Sequence, residues 1–438
     1  MVRSGRAILS LALPANCLRL SFEGLRTRRD ARPGDERRVC GSGMRILTIH
    51  NSYQVRGGED ESCDAEDSLL AESGHEVRRI AFDNAAINGF NAVAAGIRAT
   101  WSRPAYSRVC RELDAWKPHV VNVQNFFPVA SPSVHYAAAR AGAAVVQTLH
   151  NYRLVCPGAL LLRDGKVCEA CLGKRIPWPG VIHRCYRGSS SATAAVATMC
   201  AVHNALGTWQ RVVSLFVALT EFARAKFVEG GIPAERIVVK PNFVPDDPGI
   251  GAGDGDYVIF VGRLSAEKGV AALLDAWRRI GDAGKLVVIG DGPLAGLVRE
   301  EAGRCRSITY LGKRPLSEVY EFMGRARALV CPSICYEGLP RGIIEALCRG
   351  TPVIASDLGS MPELVSDRVT GWLVPPGDAA VLACQIREAL ASKEAQTTMR
   401  VAARAAFESR YTRERNRELL TRIYERALRE GPASRCNQ

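Results

Sequence analysis

From Met44 onward the chain alternates short apolar runs with helix-compatible stretches, and it does so in two successive series. MRILTIH (44–50), HEVRRIA (75–81), VVNVQ (120–124), AAVVQTLH (143–150), VSLFVAL (213–219) and RIVVK (236–240) read as strands, with helices expected over 60–73, 93–116 and 133–141. Strands linked through helices pair in parallel, because each crossover returns the chain to the same end of the sheet. The second series is YVIFVG (257–262), KLVVIG (285–290), ITYLG (308–312), ALVCPS (328–333) and PVIASD (352–357). Between them, Pro241, Pro245 and Pro248 lead into GIGAGDGD (249–256), the turn-rich composition of a connector between domains. The expected fold is α/β, with two Rossmann-like doubly wound parallel-sheet domains, 44–248 and 257–438, facing a cleft. Residues 249–256 are the linker, and 378–430 read as charged C-terminal helices. At 438 residues the chain exceeds the ~250–300 that one core holds, which agrees with two domains.

With 47% hydrophobic and 24% charged residues the chain can bury ordinary cores, which excludes disordered and low-complexity classes. Its net charge of +13 is uneven, since residues 101–220 hold 13 Lys and Arg against four Asp and Glu. A basic middle suits an anionic partner such as a lipid surface or phosphates, and equally a solvated basic face. Nucleic acid is not expected, because no recognition helix or aromatic-basic module is visible. No stretch reads as a membrane span; Gly188 to Gln210 carries no charge but is mostly Ala, Ser and Thr. Most of the 15 cysteines stand singly in apolar or helical context, as buried thiols do in a reducing compartment, so a cytoplasmic location is expected. Residues 1–43 contain arginines and a broken apolar run without signal-peptide layout, and read as a disordered or mis-annotated N-terminal extension.

The densest chemistry lies in CPSICYEGLPRGIIEALCRGTPVIAS (331–356). Glu337 falls in a loop after a strand and Glu345 on the helix that follows, so both can face the cleft and accept hydrogen bonds from a hydroxyl-rich ligand. Backbone N–H groups of Gly338, Leu339 and the helix start would offer donors to an anion. VGRLSAEKG (261–269) places Arg263 and Lys268 on one strand-to-helix loop, where a guanidinium and an ammonium suit a diphosphate. Asp254-Gly-Asp256 spells a DxD metal motif but sits in the linker, and reads as coincidence.

Together, Arg263, Lys268, Glu337, Glu345 and the intervening VIGDGP (288–293) resemble the retaining glycosyltransferases of family 4, also called glycosyl transferases group 1. In the first half the resemblance rests on Gly57-Gly58 and TLHNYRLVCP (148–157). It implies the GT-B fold and sugar transfer from a nucleotide-diphosphate donor to a glycan or lipid-linked acceptor, in bacterial envelope or exopolysaccharide assembly. It further implies that Arg263 and Lys268 hold the diphosphate, that Glu337, Gly338 and Leu339 contact the donor sugar, and that Glu345 holds the ribose. His150 would face the donor sugar near the reacting carbon, and Gly57 and Gly58 would form the loop that admits phosphate and acceptor. GLPRG (338–342) departs from the commoner Gly-Phe-Gly loop, so the sugar's identity does not carry over. A nucleotide-sugar epimerase on the same fold and a non-catalytic scaffold are the other readings; the intact charged set argues against the scaffold.

Two features lie outside this set. Cys156, Cys168, Cys171 and Cys185 occupy the irregular stretch 151–188, with a CxxC at their centre. One structural zinc is the favoured expectation, with unpaired thiols or two disulfides as alternatives. Arg184, Arg187 and Arg211 bracket the uncharged helix near Lys174, Arg175, Trp178 and Trp209. This could be a surface for the inner face of an anionic plasma membrane. A buried Ala-rich helix is the favoured reading.

Overall fold

The computed structural model describes residues 43–52, 56–87, 92–391 and 393–431. Residues 1–42, which hold nearly all of the expected extension, lie outside the described residues. In the first half, the strands are β1 (Arg45–Ser52), β2 (Glu76–Asp83), β3 (Val120–Val123), β4 (Ala144–Leu149), the short hairpin β5 (Leu162–Arg163) and β6 (Lys166–Val167), β7 (Leu215–Ala218) and β8 (Ile237–Val239). All but the hairpin join one parallel sheet in the order β2-β1-β3-β4-β7-β8. β3, β4 and β7 are buried at every position, as their near-continuous apolar sequences require when helices cover both faces.

The second half contributes β9 (Tyr257–Val261), β10 (Lys285–Ile289), β11 (Ile308–Gly312), β12 (Ala328–Cys331), β13 (Val353–Ser356) and β14 (Gly371–Val374). Their order, β11-β10-β9-β12-β13-β14, is that of a Rossmann sheet. In such sheets ligands bind where the order reverses, outside the carboxyl ends of the two strands flanking that point. Here the reversal falls between β9 and β12, which end in the loops carrying Arg263 and Lys268 and carrying Glu337. The corresponding reversal in the first sheet lies between β1 and β3, so the Gly57-Gly58 loop follows one flanking strand.

The structure departs from the sequence reading in three places. The helix expected over 93–116 is two, Ala92–Thr100 and Arg103–Trp116; the Ser102 hydroxyl accepts the Ala105 N–H, and Pro104 starts the second helix. β14 was not foreseen, being a four-residue strand with two of its residues Gly371 and Trp372. Finally, helix Arg413–Glu430, grouped from sequence with the second domain, packs against β4, β3 and helix Gly58–Glu72 of the first. The linker segment is held to the second domain, with Gly251 N–H donating to Arg349 and Gly253 N–H to Gly324. Asp254 and Asp256 pair with different cations, Arg325 at 3.0 Å and Lys285 at 2.7 Å.

Candidate active site

The second-domain part of the site is fixed by backbone. Gly269 has φ +73°, and a Cβ there would lie 1.8 Å from the Pro332 carbonyl oxygen. Only glycine lets the loop after β9 close on the loop after β12. Ile334 N–H donates to the Glu267 carbonyl at 2.9 Å, a second tie between the same loops. The result brings Lys268 Nζ within 2.7 Å of Glu337 Oε1, which also accepts the Ser333 hydroxyl at 2.7 Å. Burial would lower the Lys268 pKa, but the facing Glu337 carboxylate outweighs it and holds the ammonium above its ordinary value. Arg263 is exposed at the mouth of this loop.

Glu345 lies on helix Arg341–Cys348, 6% exposed, and burial raises its pKa above the usual carboxylate value against the opposing effect of Arg341. Arg341 Nη2 donates to Glu345 at 3.2 Å, while Nη1 lies 3.3 Å from Glu61 and 3.4 Å from the Gly58 carbonyl. The predicted glycine loop and the predicted ribose carboxylate are therefore joined through one guanidinium across the cleft. Gly57 is tied down from its own side. Asp60 accepts the Gly57 N–H at 2.9 Å, and its other oxygen is 2.8 Å from the buried His50 Nε2.

His150 follows β4 and meets the Glu337 loop directly. A Cβ on Gly338 would lie 3.2 Å from the His150 carbonyl oxygen. Thr220 donates to the Gly338 carbonyl at 3.2 Å, and Ser360 to the Glu337 carbonyl at 2.8 Å. Leu339 is 7% exposed and belongs to the second domain's core rather than to the cleft wall. The structure thus brings together His150, Lys268, Glu337 and Gly338, and joins Gly58 to Glu345 beside them.

Behind His150 stands a buried polar chain that the sequence reading missed. His150 Nε2 is 2.6 Å from Gln124 Oε1, and Gln124 Nε2 donates to Glu66 Oε1 at 2.9 Å. Glu66 also accepts from Asn122 at 3.0 Å and from Lys240 at 3.0 Å, and Lys240 reaches Asn416 of the last helix at 3.1 Å. A carboxylate can only accept, so the Gln124 amide nitrogen must face Glu66 and its oxygen must face the histidine. His150 therefore carries its proton on Nε2, leaving Nδ1 as the lone-pair nitrogen. Burial, with Lys240 and His50 adding to it, pushes its pKa down to about 3, so the ring is neutral at ordinary pH. The signal for this chain was present in VVNVQ, where two amides interrupt an apolar strand.

The cysteines do not fulfil the zinc expectation. Cys156, Cys168, Cys171 and Cys185 line one small cavity with Pro179, Gly180 and His183, and none is in a disulfide. Among the described residues, however, no three His, Cys, Asp or Glu side chains are grouped so as to hold a metal ion. The thiols sit around the cavity wall without closing into a ligand set. The uncharged helix, Ser190–Ala205, buries one face, with Thr193, Val196, Ala197, Met199, Cys200 and His203 inward, and packs on helix Ala92–Thr100. Trp209 is 2% exposed in a cluster with Phe126, His135 and His203, so it leaves the expected membrane surface. Among the described residues no helix is long and apolar enough to cross a membrane.

Comparison with known proteins agrees with this fold. The family model described as glycosyl transferases group 1 matches residues 255–392. The amylovoran biosynthesis glycosyltransferase AmsK of Erwinia amylovora is 26% identical over 228 residues, 48% of this chain and 56% of that protein. The phosphatidyl-myo-inositol mannosyltransferase of Mycobacterium leprae is 29% identical over 253 residues, 55% of this chain and 67% of that protein. Relatives such as AmsK and the 2-deoxystreptamine glucosyltransferase of Streptomyces kanamyceticus are matched over only about half their length (56% and 51%). The structure of Anabaena HepE in complex with UDP and glucose superimposes with a TM-score of 0.65 at 18% identity, covering 87% of this chain and 99% of that one. Residues 255–392 are a glycosyl transferases group 1 domain, and the chain around them has the two-sheet GT-B architecture.

Proposed function

We propose that the chain is a retaining glycosyltransferase that moves a sugar from a nucleotide-diphosphate donor to a glycan or lipid-linked acceptor in bacterial envelope or exopolysaccharide assembly. The observation that carries this reading is the pairing of Lys268 with Glu337 at the reversal point of the second sheet, with the adjoining Gly338 facing the His150 carbonyl of the first domain. In this reading Arg263 and Lys268 take the diphosphate, Glu337 and the amides of Gly338 and Leu339 take the sugar, and Glu345 takes the ribose. As the bond from the anomeric carbon to the diphosphate oxygen breaks, its electron pair leaves with the phosphate, and the fixed cations stabilise that charge. The acceptor oxygen bonds the carbon on the same face, and its proton passes to the departing phosphate oxygen. This route asks for no protein nucleophile. Neutral His150 then serves as a polar contact beside the reacting carbon rather than as a charged acid. The matched relatives named for polysaccharide and mannosyl transfer, and a neighbour holding UDP and glucose, support the substrate class.

Thermal unfolding with UDP, GDP, ADP, dTDP and CMP tests the donor site, since a ligand that binds only the native state raises the midpoint. A rise with one diphosphate, lost in Arg263→Ala/Lys268→Ala, is expected. No rise with any nucleotide returns weight to a non-catalytic scaffold. Nucleotide release from the sugar donor without any acceptor, with inversion of a sugar centre, identifies an epimerase instead.

A further inference from the structure

The insertion between β4 and β7 presents a face that the cleft does not use. From Ala170 to Thr220 the chain carries Lys174, Arg175, Arg184, Arg187 and Arg211 and no Asp or Glu. Within this acid-free stretch Ile176, Trp178 and Ile182 are 60%, 55% and 63% exposed. Trp178 and Ile182 stand one turn apart at the two ends of helix Trp178–Ile182, so they point to the same side. The other side of that helix is anchored, with Pro179 and Gly180 buried against Pro157 and Cys171. The apolar side chains are thus held outward by a seated element, and Lys174, Arg175, Arg184 and Arg187 beside them are all exposed.

An exposed indole and two isoleucines bordered by cations suit the boundary between lipid headgroups and acyl chains, where the apolar groups enter and the cations meet phosphates. We propose that this face seats the protein on the surface of an anionic lipid bilayer, with Ile176, Trp178 and Ile182 inserted and Lys174, Arg175, Arg184 and Arg187 against the headgroups. The charge decides the occupant: a neutral bilayer gives the acid-free stretch nothing to pair with. The surface is independent of the transfer chemistry, so its failure leaves the proposed activity standing, and the reverse holds too.

The test is co-sedimentation of the full chain with phosphatidylcholine vesicles, with and without phosphatidylglycerol, at low and at high salt. Binding only to the anionic vesicles, weakened by salt, is expected. Trp178→Ser/Ile182→Ser should lower it by about tenfold with an unchanged unfolding midpoint, since both side chains are exposed. Lys174→Ser/Arg175→Ser should reduce binding and its salt dependence together. Equal binding to both vesicle types, no binding to either, or wild-type binding by both variants overturns the assignment; the same surface capturing protein but not lipid does so as well.

Discussion

Glu337 Oε1 is shared between the Lys268 ammonium and the Ser333 hydroxyl, each at 2.7 Å, so the carboxylate is held by both loops that flank the reversal of the second sheet. Removing Lys268 leaves that carboxylate, 12% exposed, without its counter-charge. Lys268→Ala should lower stability by about 1–3 kcal/mol and abolish the diphosphate-dependent rise in unfolding midpoint. Glu337→Ala should leave folding intact while sugar transfer falls by at least about 100-fold. Turnover assays on both variants, with circular dichroism as the control for folding, check these outcomes; unchanged transfer in Glu337→Ala would remove it from the site.

The amide of Gln124 sets the tautomer of His150 through Glu66. Gln124→Leu should lower kcat by about tenfold or more with little change in KM for the donor. A parallel rise in KM would mean that Gln124 shapes the donor pocket rather than orienting the ring. Steady-state kinetics with the donor varied separates the two.

His203 is fully buried between Thr208 and the Thr100 carbonyl, and burial pushes its pKa down to about 4. The unfolded chain then binds the extra proton between pH ~6.5 and about 4, so this contribution to stability is complete above ~6.5 and is lost as the pH falls. At pH 5 the loss is about 2 kcal/mol from this group. Denaturant unfolding from pH 7 to pH 5 should show the decline, and His203→Gln should make it shallower by that amount, leaving the share of the buried His150.

Burial raises the thiol of Cys171 to about 11, so it is protonated at neutral pH and slow to react. Among the cysteines of the described residues, Cys384, on the exposed side of helix Ala379–Ala391, should be alkylated first by iodoacetamide at pH 8, with Cys171 reacting only on unfolding. Mass-spectrometric mapping of the labelled sites decides. Rapid native labelling of Cys171 would show that the thiol cavity opens.

Both sheets were legible in the sequence because apolar runs of four to eight residues, separated by helices, leave one arrangement open. The placement of the second-domain residues was legible too, since Arg263, Lys268 and Glu337 lie on loops after strands and Glu345 on the helix that follows, all positioned by local sequence. What was not legible depends on chain-distant contacts. Nothing near Arg341 indicates that it reaches Gly58 and Glu61, and nothing near Lys240 points to Asn416. Trp209 misled because Arg211 stands two residues from it in sequence, while its neighbours in space are Phe126, His135 and His203. The CxxC spacing brings four thiols to one cavity, and among the described residues no group of three metal-binding side chains forms there.

The return of helix Arg413–Glu430 to the first sheet means that the polypeptide passes between the halves twice. Severing it at residues 249–256 would not release two autonomous pieces. The amino-terminal fragment would expose Lys240 and Glu66, stripped of Asn416 and Tyr424, while the carboxyl-terminal fragment would end in a helix with no sheet beneath it. Complementation of separately expressed halves therefore calls for a split that transfers residues 413–430 to the amino-terminal partner, as a circular permutation would.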